Sequence, residues 1–596
     1  MDFRRLFELF TYQQSSHPLD SALAQLNGRK WERFPSSDCV TIINKLSVGF
    51  LDRGLKRGER AVILALNNSV PWIFCDLALQ QIGVVVVPLH PANHLPTLEA
   101  IFREVAPALL IAENRAMLEK ILPAEERAAF NERIVLLQPE TGDLPGWHDL
   151  LLEAEPVQQE KLQALRAVIH EDDPATIIYT SGTQALPKGV VLSHKNLVSN
   201  IKACLAVLPI RPGDRVVSFL PYSHIFERTV LYVYLAAGAS VHVLPGVQDL
   251  ERALPLVRPH YFSAVPRVLE RMKALVLEQA GRRPAVVRRV VHWAVRIGQR
   301  ERPGRTALGY YLQLLLARLL VFRSWRRRLG GRLKGIAVGA AAMNETLGRL
   351  FAAAGIVVRE GYGLTEASPV VAFNRFEPGG HKLGTVGLPL PGVQVRIQPL
   401  NEQREGLGEI LVKGPNVMMG YFKREELTAE TIDSDGWLHT GDLGLIEDSR
   451  FLKITGRARS LFKTSRGLFV SPELVENHLK HSPFISQCMV FGSGRPFVGA
   501  ILLPNFTLLE QWCTEQDIHW TAPQYMIHNH LVRGHYENLL DGLNESLRSH
   551  ERVRDFFLTA DHWTPQTGEL SFTLKPKRPA ILERYAKEIR RLYEKD

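Results

Sequence analysis

The first 170 residues alternate short apolar runs with stretches of helical period. RAVILAL (60–66) reads as a buried strand, followed by a helix from about Pro71 to Gln81. GVVVVPL (83–89) is a second strand, 95–105 a second helix and ALLIAE (108–113) a third strand. Strands alternating with helices at this spacing predict a parallel sheet covered on both faces. The alternation returns at 214–245, where DRVVSFL and ASVHVL flank a helical stretch, and at LKGIAVG (333–339) and GIVVREGYG (355–363). From about 383 the texture changes to short strands and turns (GTVGLPLPGVQVRIQP, GEILVKG), as expected of a β-rich subdomain over 383–456. After Gly456 comes a smaller α+β unit containing VSPELVENHLK, QCMVFGS and FVGAILLP. The expected fold is α/β, with parallel-type sheets sandwiched by helices and the small β-rich subdomain in an N-terminal domain, 1–456. A smaller α+β C-terminal domain follows over 457–596. No internal repeat or low-complexity linker is present, so the boundary rests on the change of pattern near 456–463.

Length agrees with more than one domain, because single cores stop growing at roughly 250–300 residues and this chain has 596. A content of 45% hydrophobic and 22% charged residues is that of a soluble globular protein. Cys39, Cys75, Cys204, Cys488 and Cys513 are scattered and lack CxxC spacing, which argues against a disulfide framework or zinc site and suits a reducing cytoplasm. The start, MDFRRLFELFTYQQ, has no apolar run with a small-residue cleavage site, so no secretory signal is expected. No apolar stretch reaches the ~18 residues of a spanning helix. The longest, YYLQLLLARLLVF (310–322), is shorter and contains Arg318.

Charge adds one feature. The net charge is +10, yet 282–334 alone carries fifteen Lys/Arg against one acid, Glu301, a local balance of +14 that leaves −4 for the rest. Such a segment around an apolar helix reads as a surface for an anionic membrane or other polyanion. It reads equally as an arginine-rich, solvated face of packed helices.

The most informative chemistry lies in YTSGTQALPKGVVLSHKN (179–196). ATIIYT before it reads as a strand end, and SHKNLVSNIKACLAV as a helix start. Between them, Thr180, Ser181, Gly182, Thr183, Lys188 and Gly189 combine backbone freedom, hydroxyl donors and a mobile cation, the makings of a polyphosphate loop. It is not a Walker A loop, because Lys188 stands between Pro187 and Gly189. Gly361-Tyr-Gly363-Leu-Thr-Glu366 starts like a dinucleotide fingerprint, but glutamate replaces the third glycine and would face a pyrophosphate. Taken alone, the Ser/Thr/Gly loop also reads as an ordinary surface turn.

YTSGT…PKG resembles the signature loop of the adenylate-forming (AMP-binding) superfamily, with Gln184 and Ala185 where TSGTTG is usual. LPYSHIFER (220–228) is similar to the LP..H.FER segment of its long-chain acyl-CoA synthetase branch. VGAAAMN (338–344) resembles SGGAPLS, with Ala340 replacing the second glycine, and EGYGLTE (360–366) matches fully. HKLGTVGLPLPG, GPNVMMGYFK, GWLHTGDLG (436–444), ITGRARSLFKTSRGLFVSPELVE (454–476) and LSFTLKPKR (570–578) follow in family order. The arginine-rich insertion between Pro266 and Gly335 is also similar to that branch.

The resemblance implies an ATP-dependent long-chain fatty acid–CoA ligase that forms acyl-AMP and pyrophosphate, then a CoA thioester and AMP. Attack of a carboxylate on the α-phosphorus brings two anions together, and Mg2+, the implied cofactor, neutralises them. Its implied ligands are Thr180 and Glu366. Ser181, Gly182, Thr183 and Lys188 would hold phosphates, and Gly339, Ala340, Glu360, Gly361, Tyr362, Gly363 and Thr365 would line the nucleotide. Asp442, an acceptor-only side chain, would take the ribose hydroxyls, reinforced by the planar fork of Arg457. Arg459 stands where the family has Asp or Lys, and with Lys463 would reach the nucleotide. Lys575 would stabilise the transition-state charge, with Lys577 one register away. His224 would approach the bound carboxylate, and Gly467 and Ser471 the CoA thiol. The C-terminal domain would rotate about its hinge between the two half-reactions. Fatty acid, ATP and CoA are the implied partners, and nucleic acid is not. Two rivals stay open: an acyl carrier protein as acceptor, and a degenerate nucleotide-binding scaffold. The implied location is cytoplasmic, with a peripheral place on the inner membrane face as the variant that the basic segment would add.

Overall fold

Apolar runs too short for helices pair as strands, as their spacing predicts. Arg60–Leu64 lies between Val85–Leu89 and Leu109–Ala112, all parallel. Ser69 caps the intervening helix, Val70–Gln81, by accepting from the Trp72 N–H. This computed structural model describes all residues except 1, 29, 92–94, 123–129, 131–132, 140–143, 154, 181–186, 301–307, 400–406, 565–566, 571–575 and 595–596.

Contacts divide the chain into two compact units. The first comprises Met1–Arg396, Leu411–Thr440 and Glu447–Leu452; the second comprises Ile397–Ile410, Gly441–Ile446 and Lys453–Asp596. The strands Gln394–Pro399, Gly408–Lys413, Leu438–Glu447 and Phe451–Arg457 form a four-stranded sheet.

The first unit holds two large sheets. In the seven-stranded sheet the order is Ile134–Leu136, Leu109–Ala112, Arg60–Leu64, Val85–Leu89, Pro174–Thr180, Lys188–Ser193, Gly420–Tyr421. Its first five strands are parallel, and the last two run antiparallel to their neighbours. The nine-stranded sheet has a parallel centre, running Val358–Gly363, Gly335–Val338, Tyr261–Ala264, Arg215–Ser218, Ser240–Val243, Leu23–Asn27. Val370–Phe373 adds antiparallel at one side, and the hairpin partner Lys30–Phe34 at the other.

The helix Ile225–Ala236 ties the two sheets together through two adjacent charged residues. Glu227, fully buried, accepts from the Ser218 hydroxyl (2.6 Å), the Phe219 N–H (3.2 Å) and the Ser263 hydroxyl (2.5 Å), all on the nine-stranded side. Burial pushes its carboxyl up to about 7, although these donors favour the ionised form. Arg228 is 0% exposed and pairs with Asp76, also 0% exposed, on the helix Val70–Gln81. It also donates to Thr176 Oγ1 (2.7 Å) of the seven-stranded sheet and to Tyr232 Oη (2.8 Å). The "FER" of LPYSHIFER is thus a polar bolt inside the core.

In the second unit Ile485–Phe491, Val498–Pro504 and Val553–Leu558 form a three-stranded sheet, antiparallel then parallel. The helix Pro472–Leu479 packs on it through Val475 and Leu479. Among the described residues no helix is long and apolar enough to cross a membrane, and all five cysteines are buried thiols.

Candidate active site

The segment expected to hold phosphates is flanked by two paired strands. Pro174–Thr180 and Lys188–Ser193 pair antiparallel with Thr180 opposite Lys188, and Ser181, Gly182, Thr183, Gln184 and Ala185 lie outside the described residues. SHKNLVSNIKACLAV reads as a helix start, and the helix His194–Leu205 begins there with Ser193 as its cap; the strand Lys188–Ser193 lies before it. Gly189 serves packing: a Cβ there would stand 2.8 Å from Ile177 Cγ2 and 3.0 Å from Tyr179 Cζ.

The neighbouring strand, Gly420–Tyr421, brings a carboxylate to this strand pair. Tyr421 pairs with Val190, and the Phe422 N–H donates to the Gly189 carbonyl at 2.7 Å. The Tyr421 hydroxyl donates to Glu366 Oε1 at 2.9 Å, and Lys188 Nζ sits 5.0 Å from the Tyr421 ring centroid. The Glu366 backbone is pinned as well, since its carbonyl accepts from the Met418 N–H at 2.9 Å. Thr180, Lys188 and Glu366 are all only partly buried.

Tyr421 was not singled out from the sequence, and neither were Asn196 and Asn200. The two asparagines stand four apart on one face of the helix His194–Leu205. Asn196 donates to the Pro415 and Val417 carbonyls, both at 2.8 Å. Asn200 donates to the Val370 carbonyl (2.7 Å) and accepts from its N–H (3.2 Å). They fix the segments that carry Tyr421 and follow Glu366. Two buried amides on an otherwise apolar face were the available signal.

Of the residues expected to line the nucleotide, Glu360, Gly361, Tyr362 and Gly363 lie on the strand Val358–Gly363, with Thr365 in the turn Thr365–Ala367. A Cβ on Gly361 would stand 2.8 Å from Phe373 Cδ2, so this glycine admits the antiparallel neighbour. The buried Glu360 carboxylate accepts from the Met343 N–H (2.9 Å) and shapes the 339–343 loop. Burial pushes this carboxyl also up to about 7. In that loop Gly339 leaves no room for a side chain against Phe226, whose Cε2 would be 2.9 Å from a Cβ. Ala340 has φ +68°, the left-handed region that disfavours a Cβ. Ala340→Gly should raise the stability of the first unit by roughly 0.5–1 kcal/mol, after the loss in unfolded-state rigidity is deducted. Urea unfolding checks this, and an unchanged or lowered midpoint would contradict the strain.

His224 stands at the start of the helix Ile225–Ala236, exposed, with its ring stacked near His90 at 6.2 Å between centroids. Burial lowers the His90 imidazole below its ordinary value.

In the second unit Asp442 is buried and its Oδ1 lies 3.1 Å from Arg457 Nε. The Gly441 N–H donates to Glu409 Oε1 at 2.9 Å, which orients the turn before Asp442. Arg459, exposed, follows in the turn Ala458–Ser460. Lys463 and Gly467 belong to the hairpin of Phe462–Lys463 and Phe469–Val470, with Lys463 Nζ 5.2 Å from the Phe469 ring centroid. The Ser471 hydroxyl is buried and donates to the Thr455 carbonyl at 3.0 Å. Lys575 lies outside the described residues, but its flanks do not: Leu570 bridges Pro576, and the Lys577 N–H donates to the Glu569 carbonyl at 2.7 Å.

Two large sheets bolted by one helix, a tyrosine-held carboxylate beside the paired Thr180 and Lys188 strands, and an α+β unit make up the architecture. Solved structures share it: ATP-bound MatB from Rhodopseudomonas palustris superposes with TM-score 0.70 at 21% identity, over 98% of this chain and 99% of that one. The anthranilate CoA ligase AuaEII with anthranoyl-AMP gives 0.71 at 18% identity, over 97% of each chain. The chain belongs to the AMP-binding enzyme family, matching it over residues 11–422 and its C-terminal domain over 461–596. Among its relatives, long-chain-fatty-acid–CoA ligase FadD15 of Mycobacterium bovis is 31% identical, over 95% of this chain and 93% of the relative. Long-chain-fatty-acid–CoA ligase 6 of Mus musculus is also 31% identical, over 92% of this chain and 80% of the relative.

Proposed function

We propose that this protein is an AMP-forming long-chain fatty acid–CoA ligase. The observation that carries the reading is the Tyr421–Glu366 hydrogen bond on the strand beside Lys188–Ser193. A carboxylate held against a loop meant for phosphates repels them unless a cation lies between. Thr180 and Glu366 offer hydroxyl and carboxylate oxygens, the hard donors that Mg2+ takes alongside waters and phosphate oxygens. When bound, Mg2+ would neutralise charge as the carboxylate approaches the α-phosphorus.

In the first half-reaction the fatty acid carboxylate oxygen bonds to the α-phosphorus and the bond to the β-phosphate oxygen breaks, releasing pyrophosphate. Ser181, Gly182, Thr183 and Lys188 hold the phosphates; Asp442, positioned by Arg457, accepts from the ribose hydroxyls; and Lys575 balances the charge gathering between carboxylate and phosphate. The loop at 339–340 and the strand end and turn over 360–365 seat the adenine end. His224 orients the acid, while Arg459 and Lys463 assist at the nucleotide. In the second half-reaction the thiolate of CoA attacks the acyl carbon and AMP leaves, with Gly467 and Ser471 on the thiol side. Residues 457–596 turn between the two states. The five buried thiols fit a reducing, cytoplasmic setting.

Pyrophosphate release over fatty acids of several lengths and aryl acids tests the substrate, and CoA and a holo acyl carrier protein supplied separately test the acceptor. The reading expects release with long-chain acids and thioester on CoA. Thioester on the carrier protein alone would replace the acceptor; no release with any acid would reduce the chain to a nucleotide-binding scaffold.

A further inference from the structure

The basic insertion packs by one face and leaves an apolar one uncovered. It contains the helix Leu308–Ala317, continued as a π-helix over Arg318–Phe322. Leu314, Ala317, Val321 and Phe322 point inward, into the core formed with Leu350 and Phe351 of the helix Glu345–Ala353. The opposite side should then be polar, as on any surface helix. Instead Leu308, Leu312, Leu315, Leu316, Leu319 and Leu320 are 72%, 54%, 53%, 50%, 57% and 63% exposed. Their spacing places them in one stripe along the helix. A single exposed leucine needs no explanation, but a continuous stripe of six marks an interaction surface.

What surrounds the stripe selects the partner. Arg323, Arg326, Arg327 and Arg328 follow it directly on Arg323–Arg328, and all four are exposed. The adjacent helix Ala285–Gln299 adds exposed Arg288, Arg289 and Arg296. An apolar stripe bordered by arginines, with no acidic side chain among the described residues of 282–334, complements a surface that is apolar beneath and anionic on top. We propose that Leu308–Phe322 is an interfacial helix that docks on an anionic bilayer, its leucines entering the acyl boundary and the arginines meeting lipid phosphates. A second copy of the chain would bring its own arginines against these and is disfavoured. That the bilayer is also the source of the acid rests on the ligase reading; the docking does not.

The test is co-sedimentation of the full chain with phosphatidylglycerol or phosphatidylcholine vesicles at low and high salt, with sedimentation velocity without lipid. The wild type should bind phosphatidylglycerol vesicles, and binding should weaken at least tenfold at 0.5 M salt or on phosphatidylcholine. The triple variant Leu312→Ser/Leu316→Ser/Leu319→Ser and the charge variant Arg323→Glu/Arg327→Glu should each bind at least tenfold more weakly, with unfolding midpoints like the wild type's. No binding to phosphatidylglycerol at low salt would overturn the proposal, as would a leucine variant that binds as the wild type does. Lipid-independent self-association lost in the leucine variant would assign the stripe to a second copy and overturn it too. Vesicle binding without acid-dependent pyrophosphate release would retain the docking and remove the ligase reading; the converse would remove the docking alone.

Discussion

Lys575→Ala should slow acyl-adenylate formation about 10²–10³-fold, the usual cost of removing a preorganised group that stabilises developing charge. It should leave conversion of supplied acyl-adenylate to thioester within a few-fold of wild type, because the proposed function gives that lysine to the first half-reaction only. The local structure separates it from its neighbours. Leu570 and Pro576, on either side of 571–575, form a bridge, and Lys577 precedes the helix Arg578–Arg584 with its N–H on the Glu569 carbonyl. Arg578 then anchors the start of that helix by two bonds to the Glu476 carboxylate, 2.7 and 2.6 Å. Lys577 is thus beside that anchor, so Lys577→Ala should keep adenylation within about threefold. Single-turnover assays of both steps check this. Loss in Lys577→Ala with retention in Lys575→Ala would assign the role to the other lysine, and equal loss of both half-reactions in folded Lys575→Ala would deny the division of labour.

Arg228→Leu should destabilise the first unit by about 3–5 kcal/mol, because it strands the Asp76 carboxylate, 0% exposed, without its cation. Tyr232 would still donate to Asp76, and Gln80 Nε2 lies 2.9 Å from Oδ1, so hydrogen bonding survives while the countercharge does not. The double variant Asp76→Leu/Arg228→Leu should recover part of the loss, since replacing both partners removes the stranded charge. Urea unfolding of the three proteins decides it. A loss under about 1 kcal/mol in Arg228→Leu would mean that water reaches the pair.

What the sequence disclosed follows the range over which each signal acts. RAVILAL, GVVVVPL and ALLIAE are strands because a run of buried apolar residues is a local statement, and the structure keeps all three in parallel register. The two-residue strand Gly420–Tyr421 has no periodicity to read, and its role lies in a hydrogen bond spanning 55 residues. The same holds for Val370–Phe373, a short run whose partner could not be told from sequence. Glu227 and Arg228 mislead differently. Two adjacent charges on a helix suggest solvent, yet both are buried because donors and a countercharge converge from three other elements. Motif order singled out Thr180 and Glu366, and likewise Asp442 and Arg457, for which the structure of the second unit adds an ion pair. It could not expose Tyr421, Asn196 or Asn200, whose part is to hold other segments in place.

The central claim is that Glu366, set by Tyr421 beside the paired Thr180 and Lys188 strands, serves the activation of a carboxylic acid by ATP. Exchange of labelled pyrophosphate into ATP, with Mg2+ and a long-chain fatty acid but no thiol, tests it most directly. The wild type should exchange only when the acid is present, and Glu366→Gln should lower the rate about 10²–10³-fold while remaining folded. Exchange absent with every acid, or undiminished in Glu366→Gln, would contradict the account.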